Sequence, residues 1–133
     1  MWTKESFVAR MCHACWCAYQ LGTGREYNRE PTADQQASTE HGVHAFLAKP
    51  DMAPQEAHES WLDHKLSTGW RHGVLKDPAR KTHPRMVGFA DLPHIEQRKS
   101  LVFLVGARIG LATYEKLFPE PAARDTTTNE RII

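Results

Sequence analysis

Cationic residues are concentrated in one segment of the chain, between Trp70 and Arg85. The segment holds five lysine or arginine residues and a single acid, Asp77, whereas the whole chain has a formal net charge of only +1. The five cations are Arg71, Lys76, Arg80, Lys81 and Arg85. Lysine and arginine bind phosphate oxygens, and a tryptophan face can stack on a nucleotide base. The segment therefore predicts either a site for an anion with an aromatic ring or an ordinary solvated basic loop.

A histidine, a tryptophan and a lysine precede this segment at the spacing of one helix face, at His58, Trp61 and Lys65. Because residues three, four and seven positions apart share a face, we expect the three side chains to point inward together. A lysine on an apolar stripe often reaches solvent along its methylene groups, and a buried histidine often only packs. Their convergence beside the basic segment nevertheless favours a ligand site.

We predict a site in which cations hold phosphate and an indole stacks on a base. The expected phosphate ligands are Lys65, Arg71, Lys76 and Lys81. The stacking residue is Trp61 or Trp70, and hydrogen bonds to ribose or base would come from His13 and His83. The full set of predicted ligand-binding residues is His13, His58, Trp61, Lys65, Trp70, Arg71, Lys76, Lys81 and His83.

Three cysteines lie within six residues near the start of the chain, at Cys12, Cys15 and Cys17. Thiolates and the adjacent His13 could bind zinc, but a structural zinc site needs four ligands and there is no second cysteine pair. The odd number is no disulfide framework, which favours a reducing compartment. On a helix, Cys12 and Cys15 would face the core, so we expect them to pack as small apolar residues. A metal site and a reactive thiol are the alternatives.

The sequence lacks the short motifs of common enzymes. It has no Gly-rich phosphate loop, paired-carboxylate motif, zinc-binding His-Glu-x-x-His helix or nucleophile elbow. A cysteine–histidine hydrolase pair would need a third group to orient it, and nothing nearby provides one. These absences favour a binding protein over an enzyme, and we predict no catalytic residue, no metal and no cofactor.

The composition also restricts the partners and the compartment. A net charge of +1 disfavours a protein that coats a nucleic acid polymer. The most apolar stretch, Leu101 to Ala112, contains Arg108 and is too short to span a bilayer, so no membrane partner is expected. The first residues lack the basic start and apolar run of a secretion signal. We therefore expect a cytoplasmic protein.

The chain has 133 residues, which suits one domain. Apolar periodicity and capping residues predict a mainly α fold, a compact bundle of about four helices. The expected helices run from Thr3 to about Tyr19, from Thr32 or Asp34 to Ala48, from Pro54 to Gly69, and from Pro93 to about Leu117. Two short strands, near Trp70–His72 and Met86–Phe89, would form a β-hairpin or irregular loop element. One domain over 1–120 and a disordered tail over 121–133 are expected.

Apolar spacing also predicts which helix faces are buried. In the first helix the expected face is Val8, Cys12, Cys15, Trp16 and Tyr19. In the last helix it is Ile95, Val102, Val105, Ile109 and Leu117. Gly106 and Gly110 are expected to let another helix pack closely, and Gly42 suggests a close backbone crossing. The surplus of apolar residues on the last helix makes a homo-oligomer possible.

Two runs of sequence resemble the RyR domain, the repeat first named in ryanodine receptors. Residues 58–70 read HESWLDHKLSTGW and residues 73–84 read GVLKDPARKTHP, followed by Leu92-Pro93. The shared pattern is H-x-x-W-x-x-x-K-x-x-x-G-W, then G, then K-D, then K-x-H-P. The resemblance covers about residues 55–104. Cys12-His13 and Gly42-Val43 also resemble stand-alone versions carried by bacteriophages, which often have a tyrosine where this chain has His72 and a small or apolar residue at Arg85.

The resemblance implies a compact, mostly helical module with a short β element. In the channels such modules are regulatory and not catalytic, and prokaryotic and phage versions have been suggested to sense nucleotide signals. The implied function is non-enzymatic binding of a cyclic oligonucleotide or an ADP-ribose derivative, as a phage anti-defence sponge in the host cytoplasm. One alternative is a protein–protein interaction module without a small ligand. Another is an enzyme that cleaves such a nucleotide with His13 or His83 as acid or base.

Overall fold

The computed structural model of the protein describes residues 1–121, and four α-helices account for most of them. The helices are α1 (Lys4–Gly22), α2 (Ala33–Ala48), α3 (Pro54–Ser67) and α4 (His94–Leu117). The strands are β1 (Arg71–His72) and β2 (Thr82–His83), and a 3₁₀ helix covers Phe89–Asp91. The predicted mainly α architecture of packed helices with a short β element is confirmed. The segment 122–133, for which the sequence predicts disorder, lies outside the described residues.

The helix starts follow the capping residues seen in the sequence. Thr3 caps α1, and its side chain accepts a hydrogen bond from the backbone N–H of Ser6 while the Ser6 hydroxyl accepts from Thr3 N–H. Thr32 and Gln35 form the same reciprocal pair at the start of α2. Each pair satisfies backbone donors that the first helical turn leaves free. Pro54 opens α3, where its missing N–H costs nothing.

The β element differs from the predicted hairpin. β1 and β2 pair in parallel, with Arg71 opposite Thr82 and His72 opposite His83. The loop between them reverses direction at Asp77, whose Oδ1 accepts the Ala79 backbone N–H. The strand predicted at Met86–Phe89 is wrong. That segment forms no strand, and the burial of Met86 anchors it to the rest of the fold.

Two glycines of α4 set its close contact with α1. A Cβ on Gly106 would lie 2.9 Å from Cα of Cys12, and one on Gly110 would lie 3.2 Å from Cα of Val8. A side chain at Gly106 would therefore force the helix backbones to shift, one at Gly110 would be a tight fit, and the predicted close helix packing is confirmed. Gly42 is different, because its missing Cβ would meet the Phe103 ring at 3.1 Å and not a backbone.

The buried apolar core draws on all four helices, but not on every predicted face. Its members are Val8, Ala9, Cys12, Val43, Phe46, Met52, Ala57, Leu104 and Ala107. On α4, Val105 and Ile109 are 43% and 48% exposed, so the predicted apolar face is wrong there. The approach of α1 onto Gly106 and Gly110 turns the small residues of α4 inward. Its bulky residues are left outside.

On α1 the predicted face is only partly buried. Cys12 packs in the core, whereas Cys15, Trp16 and Tyr19 are half-buried. Burial raises the pKa of the Cys12 thiol to about 12, which suppresses its thiolate reactivity. Within residues 1–121, no group of three or more histidine, cysteine or acidic side chains is arranged to hold a metal. Across the same residues, no helix is long and apolar enough to cross a membrane.

Candidate ligand-binding site

A cavity of about 900 Å³ opens among the four helices and the loops beside them. Its volume is in the range of small-molecule sites. Each helix contributes one face to the wall. The helical lining includes His13, Trp16 and Gln20 of α1, Asp34 and Ser38 of α2, His58, Trp61 and Lys65 of α3, and Glu96 and Lys99 of α4. Side chains that lie far apart in the sequence therefore meet in one space.

Two histidines hold loops against this cavity. His13 Nε2 lies 2.7 Å from the Asn28 carbonyl oxygen, and His58 Nε2 lies 2.7 Å from that of Val87. A carbonyl only accepts, so both Nε2 atoms carry the proton and donate. His13 thus anchors the loop after α1. His58 anchors the segment before the 3₁₀ helix and stacks on Trp61 at 5.5 Å between ring centroids.

Lys65 places a positive charge inside the cavity wall. Its side chain is only 8% exposed, and its Nζ lies 4.3 Å from the centroid of the Trp70 ring and 6.0 Å from that of Trp61. In the described part of the chain, the one carboxylate within ion-pair distance is Asp34, whose Oδ2 is 3.5 Å away and whose side chain is 56% exposed. The ammonium is therefore desolvated but weakly paired.

The electrostatics of Lys65 agree with this geometry. Burial lowers the pKa of its ammonium group, the nearby Asp34 raises it in part, and the charges of Lys76 and Lys81 lower it further. The net shift is downward, so its surroundings disfavour the charged form. An anion placed next to Lys65 would reverse that penalty, because opposite charges attract strongly where water is excluded.

His83 stands at the centre of the cationic wall. The backbone N–H of Arg85 donates to His83 Nδ1 at 3.1 Å, which places the proton of the neutral ring on Nε2. Its ring meets Trp61 edge to face, with centroids 5.1 Å apart. Burial, followed by the charges of four cations, lowers its pKa to about 4. These cations are Lys76, Lys65, Arg85 and Lys99. His83 is therefore a neutral hydrogen-bond donor at pH 7.

A buried carboxylate, Glu96, pairs with Arg85, Lys99 and one further cation, Arg25. Glu96 is 4% exposed, and its oxygens lie 2.8 Å from Arg25 Nη1, 3.0 Å from Lys99 Nζ and 3.4 Å from Arg85 Nε. Burial alone would raise the pKa of Glu96. The hydrogen bond from Lys99 and the charges of the three cations outweigh that effect and lower it, so the carboxylate is ionised.

The pKa values of Lys99 and Glu96 are both lowered, with opposite effects on their charges. The shift favours the charged carboxylate of Glu96 but disfavours the charged ammonium of Lys99. Burial lowers the pKa of the Lys99 ammonium, Glu96 raises it in part, and the neighbouring Arg25 and Arg85 lower it again. The two shifts fit together because one carboxylate serves three cations. Positive charge therefore exceeds negative charge in this cluster, and all three cationic residues line the cavity.

Several buried polar atoms that line the cavity have no hydrogen-bond partner within residues 1–121. They are Gln20 Oε1, Ser38 Oγ and Trp70 Nε1. Buried polar groups in proteins are nearly always hydrogen-bonded, and leaving one unpaired costs about 1–3 kcal/mol. These three atoms are fully buried in the wall, so a bound molecule would reach them only if the wall moved.

Most of the residues predicted from the sequence meet in this cavity. It is lined by His13, His58, Trp61, Lys65, Trp70, Lys76 and His83. Arg71 and Lys81 are not in the lining. Arg71 is exposed on β1, and Lys81 donates from Nζ to the Thr68 carbonyl at 2.8 Å. The parallel pairing of β1 with β2 places these two cations on the outside of the loop.

The sequence prediction missed part of the site. The cavity also holds Trp16 and the Glu96 cluster, which is formed by Glu96, Arg25, Arg85 and Lys99. Glu96 and Lys99 are three residues apart on α4, a spacing that indicates an ion pair on a helix. Arg25 gave no local signal, because its partner Glu96 lies 71 positions further along the chain.

Comparison with protein families places this site in context. Residues 49–103 match the RyR domain family, so the chain contains an RyR domain across that segment. No solved structure was found to match the chain. The matched segment supplies α3, both strands and the first part of α4, and with them Lys65, His83 and Lys99. The cavity walls from α1 and α2 lie outside it.

Proposed function

We propose that this protein binds a small phosphorylated nucleotide in the cavity and does not alter it chemically. The observation that carries the proposal is Lys65, a buried ammonium 4.3 Å from the Trp70 ring whose one carboxylate partner among residues 1–121, Asp34, is half-exposed and 3.5 Å away. A phosphate group would supply the missing negative charge, and desolvated pairs of this kind are the strong ones. Lys76 on the rim and His83 Nε2–H extend the same phosphate-binding wall.

The aromatic residues favour a ligand that also carries a base. Trp16 lies beside His13 with ring centroids 5.1 Å apart, and both line the cavity. Trp61 is half-buried at the same wall. Stacking on an aromatic side chain contributes about 1–3 kcal/mol per base.

The state of the histidines supports binding over cleavage. An efficient acid or base has a pKa near the working pH, whereas the pKa of His83 is about 4. Its Nδ1 is already engaged by a backbone N–H, so no carboxylate orients the ring. His13 uses Nε2 to anchor the loop after α1. Neither histidine has the partner arrangement of a catalytic pair.

We propose further that the bound nucleotide is a signal, either a cyclic oligonucleotide or an ADP-ribose derivative. The resemblance to stand-alone phage RyR modules supports sequestration of such a signal in a host cytoplasm. A sponge must compete with an effector, which requires sub-micromolar affinity, about −8 kcal/mol or better. Two phosphate contacts and one stacked base are sufficient interactions for that range.

The test is a thermal-shift panel of ADP-ribose, its cyclised isomers, and cyclic di- and trinucleotides. A ligand at 100 times its Kd adds about 2.7 kcal/mol of stability, so we expect a rise of several degrees for one class. Chromatography after denaturation should return that ligand intact. Recovery of an altered ligand would establish an enzyme, and no shift across the panel would reject nucleotide binding.

A Lys65→Met variant ties any shift to the cavity. Methionine fills the same space without a buried charge, so we expect the unliganded protein to melt at the same or a higher temperature. Affinity for the nucleotide should nevertheless fall by about tenfold or more. Lys116→Met, at an exposed position in the last turn of α4, is the matched control and should change neither.

A second candidate function is protein–protein interaction, with a second copy of this chain as one possible partner. Leu101, Val105 and Ile109 form an exposed stripe along α4 at spacings of four residues, each 43–50% exposed. Such a stripe is the pattern that a partner helix covers. Sedimentation of the purified protein tests the homo-oligomer. A monomeric wild type would reject the stripe as a self-interface, and so would an oligomer that Val105→Glu leaves intact.

A further inference from the structure

We infer that the cavity has two anion subsites, and that the ligand carries two separated phosphoryl groups. The first subsite is the Lys65 wall described above. The second is the Glu96 cluster, in which Arg25, Arg85 and Lys99 surround one carboxylate. This inference rests on the proposed function and narrows its ligand class.

The Glu96 cluster is built from three separate parts of the chain. Arg25 comes from the loop after α1, Arg85 from the segment after β2, and Lys99 from α4. All three line the cavity, and their side chains are 27–37% exposed. Glu96 lies within ion-pair distance of all three and holds them in place. Cationic groups are thereby fixed in position before any ligand arrives, which lowers the entropy lost on binding.

Donor groups are left over in the cluster. A guanidinium has five N–H donors, but Arg25 uses Nη1 and Arg85 uses Nε toward Glu96. Within residues 1–121, the other guanidinium nitrogens of both arginines have no hydrogen-bond partner. Planar N–H pairs of this kind match the oxygens of a phosphoryl group.

The charge balance points the same way. One carboxylate cannot neutralise three cations, and the nearby Glu26 is exposed and forms no ion pair with them among the described residues. The three cations are partly screened by solvent, but like charges this close still repel one another, and an anion would relieve that repulsion. An ion pair that only stabilises the fold would need one cation for this carboxylate. The two additional cations are available to bind an anionic ligand.

His83 separates the two subsites and faces both. Its ring touches Trp61, which lines the Lys65 wall, and its Nδ1 accepts from the backbone of Arg85 in the Glu96 cluster. Cations of both groups act on it, Lys65 and Lys76 from one side and Arg85 and Lys99 from the other. A ligand that reached both subsites would pass its linking atoms over this ring.

The test compares nucleotides with one and two phosphoryl groups on the full-length protein. The probes are adenosine monophosphate, ADP-ribose and cyclic di-adenosine monophosphate, with binding measured by titration calorimetry. We expect Arg85→Gln to lower the affinity for whichever two-phosphate probe binds by about tenfold or more. The same variant should lower the affinity for adenosine monophosphate by less than about twofold. Arg108→Gln, exposed on α4 away from the cavity, should change neither.

The outcomes separate this inference from the proposed function. If Lys65→Met weakens every probe but Arg85→Gln weakens them all equally or none, the second subsite is wrong and the nucleotide site stands. If no probe binds the wild type, both the two-subsite inference and the proposed nucleotide binding are rejected. The two phosphoryl groups of ADP-ribose share one bridging oxygen, whereas those of the cyclic dinucleotide are separated by ribose, so separate subsites should favour the cyclic dinucleotide. Wild-type affinity should also fall more steeply with salt for the two-phosphate probe than for the monophosphate, a readout that needs no variant to fold.

Discussion

His83 couples the charge of the cavity to pH. Its pKa is about 4 in the folded protein and near 6.5 in an unfolded chain, because burial and four cations oppose its protonation. The unfolded state therefore takes up the proton first. The stabilising contribution of neutral His83 is complete above about pH 6.5 and is lost as the pH falls toward about 4.

Ligand binding should shift the same equilibrium the other way. A phosphate beside His83 favours the charged ring and raises its pKa, so binding takes up a proton. We expect affinity to increase as the pH falls from about 7 toward 5, while the free protein loses stability over that range. His83→Gln should flatten both trends relative to wild type. Calorimetry in two buffers of different ionisation enthalpy measures the proton uptake, and an identical pH profile for wild type and variant would contradict this role.

At the scale of secondary-structure elements, the α1–α4 crossing is the contact most sensitive to size. Gly106→Ala would bring a Cβ to 2.9 Å from the Cα of Cys12, and a backbone atom cannot rotate away. We expect a loss of about 1–3 kcal/mol in the free energy of unfolding. Gly22→Ala is the matched control, because nothing lies within 4 Å of its added Cβ. Equal melting temperatures for the two variants would show that the helices can separate at no cost.

The helix bounds could be predicted from the sequence, whereas the buried face of α4 depends on its crossing with α1. Capping residues and prolines predicted the helix bounds to within about three residues, because those signals are local. The buried face of α4 was mispredicted, because apolar periodicity favoured Val105 and Ile109 while the approach of α1 selected the glycines. The second strand was misplaced for a related reason. Met86 is buried by packing beside the Val87–His58 hydrogen bond and not by strand pairing.

The part of the site that depends on local sequence signals could be predicted, and the part that depends on contacts between distant segments could not. The helical spacing of Trp61 and Lys65 and the density of cations after Trp70 identified one wall of the cavity. Arg71 and Lys81 share that density but lie outside, because the parallel strand pairing sets which loop residues face inward. The Glu96 cluster depends on contacts between distant segments, which one sequence does not report. Charge density in a loop is thus a guide to a region and not to individual ligands.

At the scale of the whole molecule, the RyR match covers less than the folded unit. Residues 49–103 contain Met52 and Ala57 of the core but not Val8, Val43 or Phe46. The segment also stops before Gly106, so it loses the α1–α4 contact. The cavity would lose Trp16, Gln20 and Arg25 from its wall. Stability and binding should therefore both require the first 48 residues.

A truncated chain tests that dependence. We expect residues 49–103 alone to show no cooperative thermal transition by circular dichroism, because the fragment lacks Val8, Val43 and Phe46 of the buried core and the α1–α4 contact. The full chain should melt in one transition. A cooperative melt of the fragment would mean that α3, the loop and the first part of α4 form an independent core. Binding of ADP-ribose or a cyclic dinucleotide by that fragment would show that the site needs neither α1, α2 nor Arg25.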